Sequence, residues 1–127
     1  MICFSPLRAL VMLKIYHNPR CRKSREALEF INASGTKVEI ILYLENILNK
    51  EKLKEILNKI KLSPSAILRK NEKEWKEIPS NKTMSEDQIL EAMVSKPKLI
   101  ERPIVVSDND GVLARPIENL IEYLKKH

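Results

Sequence analysis

The chain has 127 residues, 43% of them hydrophobic and 31% charged, which suits one domain around a modest core. It holds no apolar run of the roughly 18 residues that a membrane-spanning helix needs, so no membrane association is expected. The formal charge of +6 favours anionic partners, but no helix-turn-helix, RNP or zinc-finger pattern accompanies it, so nucleic acid is not an expected partner.

Residues 1–12, "MICFSPLRALVM", are apolar but lack the basic start of a secretory signal. Met12 directly precedes a strand-like run, so this stretch is expected to be an extension outside the fold, an upstream start or a tail. A packed extra segment and a targeting signal are the less favoured readings. The folded domain is taken as 13–127.

"LKIY" at 13–16 reads as a short buried strand. The following "KSREALEFINAS" sets Leu28 and Ile31 on one helical face with Ala27 and Phe30 beside them, and Gly35 stands where a helix C-cap would. "KVEIILYL" alternates Val38, Ile40 and Leu42 and is rich in β-branched residues, which predicts a second strand. Strand, helix and strand at this spacing make a βαβ unit with parallel strands.

The middle reads as helical. Leu53, Ile56, Leu57 and Ile60 fall at i, i+3, i+4 and i+7. "SPSAILRK" opens with a serine cap and a proline at the first helical position, and Ser85 and Gln88 have capping-box spacing. The polar run between them, "KNEKEWKEIPSNK", predicts a loop anchored by Trp75 and Ile78. At the end, "RPIVVS" and "VLAR" flank the turn signal "DNDG". A last helix carries Ile117, Leu120, Ile121 and Leu124 on one face. The order βαβ, helical insertion, ββα is that of an α/β thioredoxin-like fold with a mixed four-stranded sheet.

Cysteine use points to a reducing, cytoplasmic setting, because two distant cysteines make no disulfide framework. Cys21 lies in "YHNPRCRKSRE", just after the first strand and at the start of the first helix. Ligands of open α/β sheets sit there, and unpaired N–H groups and the helix dipole favour an anion. Arg20, Arg22, Lys23, Arg25 and His17 are close in sequence, and each would favour a thiolate. Every unit by which such surroundings lower a thiol pKa corresponds to about 1.4 kcal/mol. The competing reading is a small buried hydrophobe, for which a loop this polar is a poor place. A zinc site is not expected, since Cys3 and His127 give His17 and Cys21 no ligand spacing.

Ser24 occupies the place of the second cysteine of a C-x-x-C pair. An internal active-site disulfide is therefore excluded in this loop, and any redox cycle at Cys21 needs an external thiol. Ser24 could instead donate to the thiolate or to a bound anion. Only seven of the 23 basic residues are arginine (Arg8, Arg20, Arg22, Arg25, Arg69, Arg102, Arg115). Bidentate oxyanion binding is a task for arginine rather than lysine.

Together, "IYHNPRCRKSREAL", "ILRKNE" at 67–72, "LIERPIVV" at 99–106 and "ARPIE" at 114–118 resemble the glutaredoxin-linked arsenate reductase (ArsC-like) family, in its order and spacing over residues 13–126. The resemblance implies a thioredoxin-like fold and reduction of arsenate to arsenite. It makes Cys21 the nucleophile, and Arg69, Arg102 and Arg115 the oxyanion-binding residues. His17 matches a histidine that helps to lower the cysteine pKa, Ser24 a serine of the same loop, and Pro103 a proline after a cis peptide bond. No metal or bound cofactor is implied; glutathione and glutaredoxin would be the external reductants and partners. Arg22 departs from the serine many members carry, "LENILNKEK" lacks the prolines often found there, and residues 1–12 have no counterpart.

Two other functions share this fold. Spx-type regulators bind RNA polymerase but typically carry C-x-x-C near the start. A monothiol glutaredoxin-like oxidoreductase would not require three separate arginines.

Overall fold

In the computed structural model, residues 12–46, 48–79 and 81–126 are described. The expected N-terminal extension therefore lies, Met12 apart, outside the described residues, as do Cys3, Arg8 and His127.

Strand β1 (Leu13–Tyr16) leads through the Cys21 loop into helix α1 (Arg22–Ala33), and β2 (Val38–Ile41) follows. The insertion comprises α2 (Lys50–Ile60), a 3-10 turn (Pro64–Ile67), the one-turn helix α3 (Lys73–Lys76) and α4 (Glu86–Ser95). Strands β3 (Ile104–Val106) and β4 (Gly111–Leu113) form a hairpin before α5 (Ile117–Lys125). The sheet order is β2-β1-β3-β4; β1 and β2 are parallel, and the other two pairings are antiparallel.

The two central strands are buried on both faces, and their period-2 alternation divides the core. Leu13 and Ile15 of β1, with Val105 of β3, face Ala27 and Ile31 of α1 and Leu120 and Tyr123 of α5. Tyr16, Ile104 and Val106 point the other way, onto the insertion, where Leu53, Ile56, Leu57 and Ile60 of α2 and Met93 of α4 meet them. Each such apolar side chain removed from water is worth about 1.5–3 kcal/mol. The insertion is thus the second layer that covers the sheet.

Local signals are realised where the chain supplies its own partners. Gly35 follows the end of α1 with φ +79°. Both halves of the capping box form at α4: Gln88 N donates to Ser85 Oγ at 3.2 Å, and Ser85 N to Gln88 Oε1 at 2.8 Å. Three readings shift. Strand β2 stops at Ile41, Leu42 begins a turn that carries Tyr43 into the core, and Ile40 is 48% exposed on the edge strand. The 64–67 segment is a 3-10 turn whose Ser63 side chain caps nothing; Glu86 Oε1 instead accepts from Ser65 N at 2.9 Å. The polar loop contains α3, because Trp75 is buried against the insertion core and a helical turn carries it there.

At the hairpin, a Cβ added to Gly111 would sit 2.8 Å from Val105 O and from Val106 Cγ1. Gly111→Ala is therefore expected to cost about 1–3 kcal/mol, as overpacking does, read as a lower denaturation midpoint. An unchanged midpoint would mean that the hairpin can spread to accept the methyl group.

Candidate active site

The connection after β1 is a tight turn. Cys21 N donates to Asn18 O at 3.0 Å, with Pro19 at the second position, and Asn18 Oδ1 accepts from Arg20 N at 3.0 Å. Proline supplies the φ such a turn requires, and asparagine adds an Asx contact. Cys21 then occupies the N-cap of α1 in extended conformation, and its carbonyl accepts the first helical bond from Arg25 N at 3.0 Å. Cys21 is a free, partly exposed thiol.

Burial works against ionisation of this thiol. The backbone N–H of Ser24, the Arg102 guanidinium and the backbone N–H of Lys23 outweigh it and hold the pKa below the ordinary thiol value. The N–H groups of the helix start act as the sequence suggests, but the cation is a different one. Arg22 is solvent-exposed and faces Glu26 at 3.6 Å, while Arg25 Nη1 donates to Pro19 O at 2.9 Å. The cation acting on the sulfur is Arg102, which lies 81 positions away along the chain.

His17 and Ser24 form a buried pair beneath the loop. His17 Nδ1 and Ser24 Oγ share a hydrogen bond of 2.6 Å, and Asn18 N donates to the same Oγ at 3.1 Å. Burial, with the charge of Arg25, lowers the His17 pKa. The shift favours the neutral imidazole, and His17 is not among the groups that lower the Cys21 pKa. The Ser24 hydroxyl is turned toward His17 and Asn18; it is the Ser24 backbone N–H that serves the thiolate. Ser24→Ala would strand both buried partners, so a loss of about 1–3 kcal/mol is expected. A chemical denaturation curve measures it, and a midpoint matching wild type would show that the loop is held by other contacts.

The three later arginines come from three places and converge. Ala114 N donates to Pro103 O at 2.9 Å, extending the β3–β4 ladder so that Arg102 and Arg115 face one another across its open end. Arg102–Pro103 is a cis peptide bond, as the resemblance implies, and Arg115–Pro116 is a second. Arg115 Nη1 lies 3.9 Å from Cys21 Sγ and donates to Arg102 O at 3.4 Å. Arg69 arrives through a short antiparallel pairing of 67–69 with 99–101. Arg69 N donates to Leu99 O at 2.8 Å, Glu101 N donates to Ile67 O at 2.7 Å, and Leu68 bridges Ile100.

Four residues of this site escape a sequence reading. Glu101 Oε1 accepts from Arg69 Nη1 at 2.8 Å and lies 3.4 Å from Arg115 Nη1. Glu72 Oε2 is 3.4 Å from Arg69 Nη2. Tyr43, 1% exposed, feels the charges of Arg102, Arg69 and Cys21; burial raises its pKa to about 12, so its hydroxyl remains a donor. Asn18 closes the loop. Glu72 and Glu101 stand three residues after and one residue before a singled-out arginine, which was the available signal. Tyr43 had none, since it sits in a run that reads as strand.

The Tyr43 hydroxyl, Arg69 Nε and Arg102 Nε are buried with no hydrogen-bond partner among the described residues. Buried donors left open cost free energy unless a ligand meets them. A cleft of about 540 Å³ opens beside Arg102, lined also by His17, Asn18, Arg20, Leu44, Glu72 and Lys98 among others. A thiolate at a helix N-terminus, guanidinium groups around it and unpaired donors together suit a nucleophilic attack on a bound oxyanion.

The sequence profile of the ArsC family matches residues 16–122. The Escherichia coli K12 protein YfgD is 39% identical over 112 residues, covering 87% of this chain and 94% of that protein. An arsenate reductase of Neisseria meningitidis serogroup A is 37% identical over 110 residues, covering 85% of this chain and 94% of its own length. Among solved structures, an arsenate reductase from Vibrio cholerae superposes with a TM-score of 0.82 at 38% identity, covering 88% of this chain and 97% of that one.

Proposed function

This chain belongs to the ArsC family, and from that premise we propose that it is an arsenate reductase, with Cys21 as nucleophile and Arg69, Arg102 and Arg115 as the oxyanion clamp. The carrying observation is the convergence of Arg102 and Arg115 on the Cys21 sulfur from the far end of the chain, with Arg69 joined to Arg115 through Glu101.

In the first step the arginines offset the charge of arsenate, which would otherwise repel an incoming anion, and Tyr43 adds a donor. The Cys21 thiolate attacks arsenic. The S–As bond forms, one As–O bond breaks, and the departing oxygen takes up protons and leaves as water. Arsenic is still pentavalent in this adduct.

The two electrons must come from a second thiol, because Ser24 replaces the cysteine that could have closed a disulfide in the loop. Glutathione is the proposed donor. Its thiolate attacks the Cys21 sulfur, an S–S bond forms, and the S–As electron pair passes to arsenic, which leaves as trivalent arsenite. A glutaredoxin thiol then exchanges with the mixed disulfide and returns Cys21 to the thiol. The cleft is much larger than an oxyanion requires, which is consistent with entry of a peptide thiol. A free thiol at the centre of the cycle favours a reducing compartment, and we place the protein in the cytoplasm.

The test is a coupled assay with arsenate, glutathione, glutaredoxin and NADPH. Arsenate-dependent NADPH oxidation is expected, and its rate should collapse when glutathione is omitted. Turnover that persists with another thiol source alone would overturn the choice of reductant; no arsenate-dependent turnover with any thiol would overturn the activity.

A further inference from the structure

Glu101 joins Arg69 to Arg115, and the chemistry above gives it no role. Its Oε1 accepts from Arg69 Nη1 at 2.8 Å and lies 3.4 Å from Arg115 Nη1. That same Arg115 nitrogen is 3.9 Å from Cys21 Sγ. The carboxylate and the nucleophile thus share one guanidinium nitrogen. An oxyanion that takes up the Arg115 nitrogen beside the sulfur would lie next to Glu101. The Glu101 backbone is placed by donating to Ile67 O at 2.7 Å within the 67–69/99–101 pairing, and its carboxylate is held by the two guanidinium groups.

Two anions in contact repel unless a proton lies between them. A tetrahedral oxyanion without hydrogen, such as sulfate, meets the carboxylate with acceptors only. One that carries a hydroxyl, as arsenate and phosphate do at neutral pH, can donate it and turn the contact into a short charge-assisted bond. Sites built around a required hydrogen-bonding group reject analogues that lack it far more strongly than sites that read only shape.

We infer that Glu101 is a specificity-determining residue, admitting tetrahedral oxyanions that carry a proton to the arginine cluster and excluding those that do not. The inference rests on reading these arginines as the oxyanion site. Glu72, which reaches Arg69 Nη2 at 3.4 Å and whose charge also acts on Arg102, provides a comparison carboxylate on the same cluster that does not bridge to Arg115.

The test needs no turnover. Cys21 of the full chain is alkylated with iodoacetamide, modification at that residue is followed by mass spectrometry, and phosphate or sulfate is titrated in as protectant. In the wild type, phosphate should protect at a concentration at least about 10-fold below that of sulfate. Glu101→Gln, whose amide can donate, should close most of that gap, and Glu72→Gln should keep it. Glu101→Ala is the second variant should the glutamine form not fold, with the same expectation. Because the readout is a ratio, a general change in thiol reactivity cancels. A wild-type ratio in the folded Glu101 variants overturns the inference and leaves the oxyanion site standing. Protection of wild-type Cys21 by neither ion overturns the site and the inference together.

Discussion

Replacing Cys21 with serine should reduce arsenate turnover by at least about 10³-fold, since the nucleophile and the electron path are lost together. The fold should survive the change, because Cys21 is partly exposed and makes its local contacts through its backbone, donating to Asn18 and accepting from Arg25. The same residue offers an independent check on its electrostatics. Its pKa is lowered, so the thiolate is present above a pH below the ordinary thiol value of 9.0. The rate of alkylation by iodoacetamide should rise with pH and level off before a free cysteine does. A Cys21→Ser protein with wild-type turnover would remove this residue from the mechanism. An alkylation midpoint at or above 9.0 would leave the nucleophile in place and refute only the account of its activation.

The second large effect separates two tasks at the arginines. Arg102→Lys and Arg115→Lys keep the charge but lose the planar pair of donors that matches two oxyanion oxygens. Each is expected to lower kcat/KM for arsenate by about 10²-fold. Arg102 also holds the Cys21 thiolate, so Arg102→Ala should move the alkylation midpoint upward. Arg115→Ala should move it little, since its nitrogen sits at the outer limit of an N–H···S contact. A general thiol oxidoreductase with no oxyanion clamp would be nearly indifferent to both lysine substitutions. Kinetics within a few-fold of wild type in both would therefore favour that rival.

Much of the fold was legible because its signals are local. The i, i+3, i+4, i+7 pattern of Leu53 to Ile60 is a property of eight consecutive residues, and the capping box of Ser85 and Gln88 is a property of four. The turn between β3 and β4 is legible in the same way. Legibility failed where a distant partner decided the outcome. Ile40 has strand-forming chemistry, but β2 pairs only with β1 and lies at the edge of the sheet. Tyr123 is polar enough to be passed over in the α5 pattern, yet it is buried and donates from its hydroxyl to Asp110 Oδ1 at 2.7 Å. Trp75 sits in a run too polar to suggest a helix, and only the insertion core explains the turn that buries it.

The site divides along the same line. Sequence alone determined the residue types: one cysteine after the first strand, no second cysteine at residue 24, and three arginines standing apart from the loop in a lysine-rich chain. From these came a candidate nucleophile and its need for a borrowed thiol, while the choice of Arg69, Arg102 and Arg115 as a clamp came from the family resemblance. It did not determine which charges act on which atoms. Four cations next to Cys21 in sequence looked like the source of its activation, but consecutive side chains at a helix start splay outward into solvent. The charge that reaches the sulfur is carried by Arg102, just before β3, and a nitrogen of Arg115, beyond the end of β4, lies 3.9 Å from it. The bridging carboxylate of Glu101 exists only because residues 67–69 pair with 99–101. Coulomb and hydrogen-bond energies depend on separation in space, which neighbours in sequence do not fix and which strand pairing does.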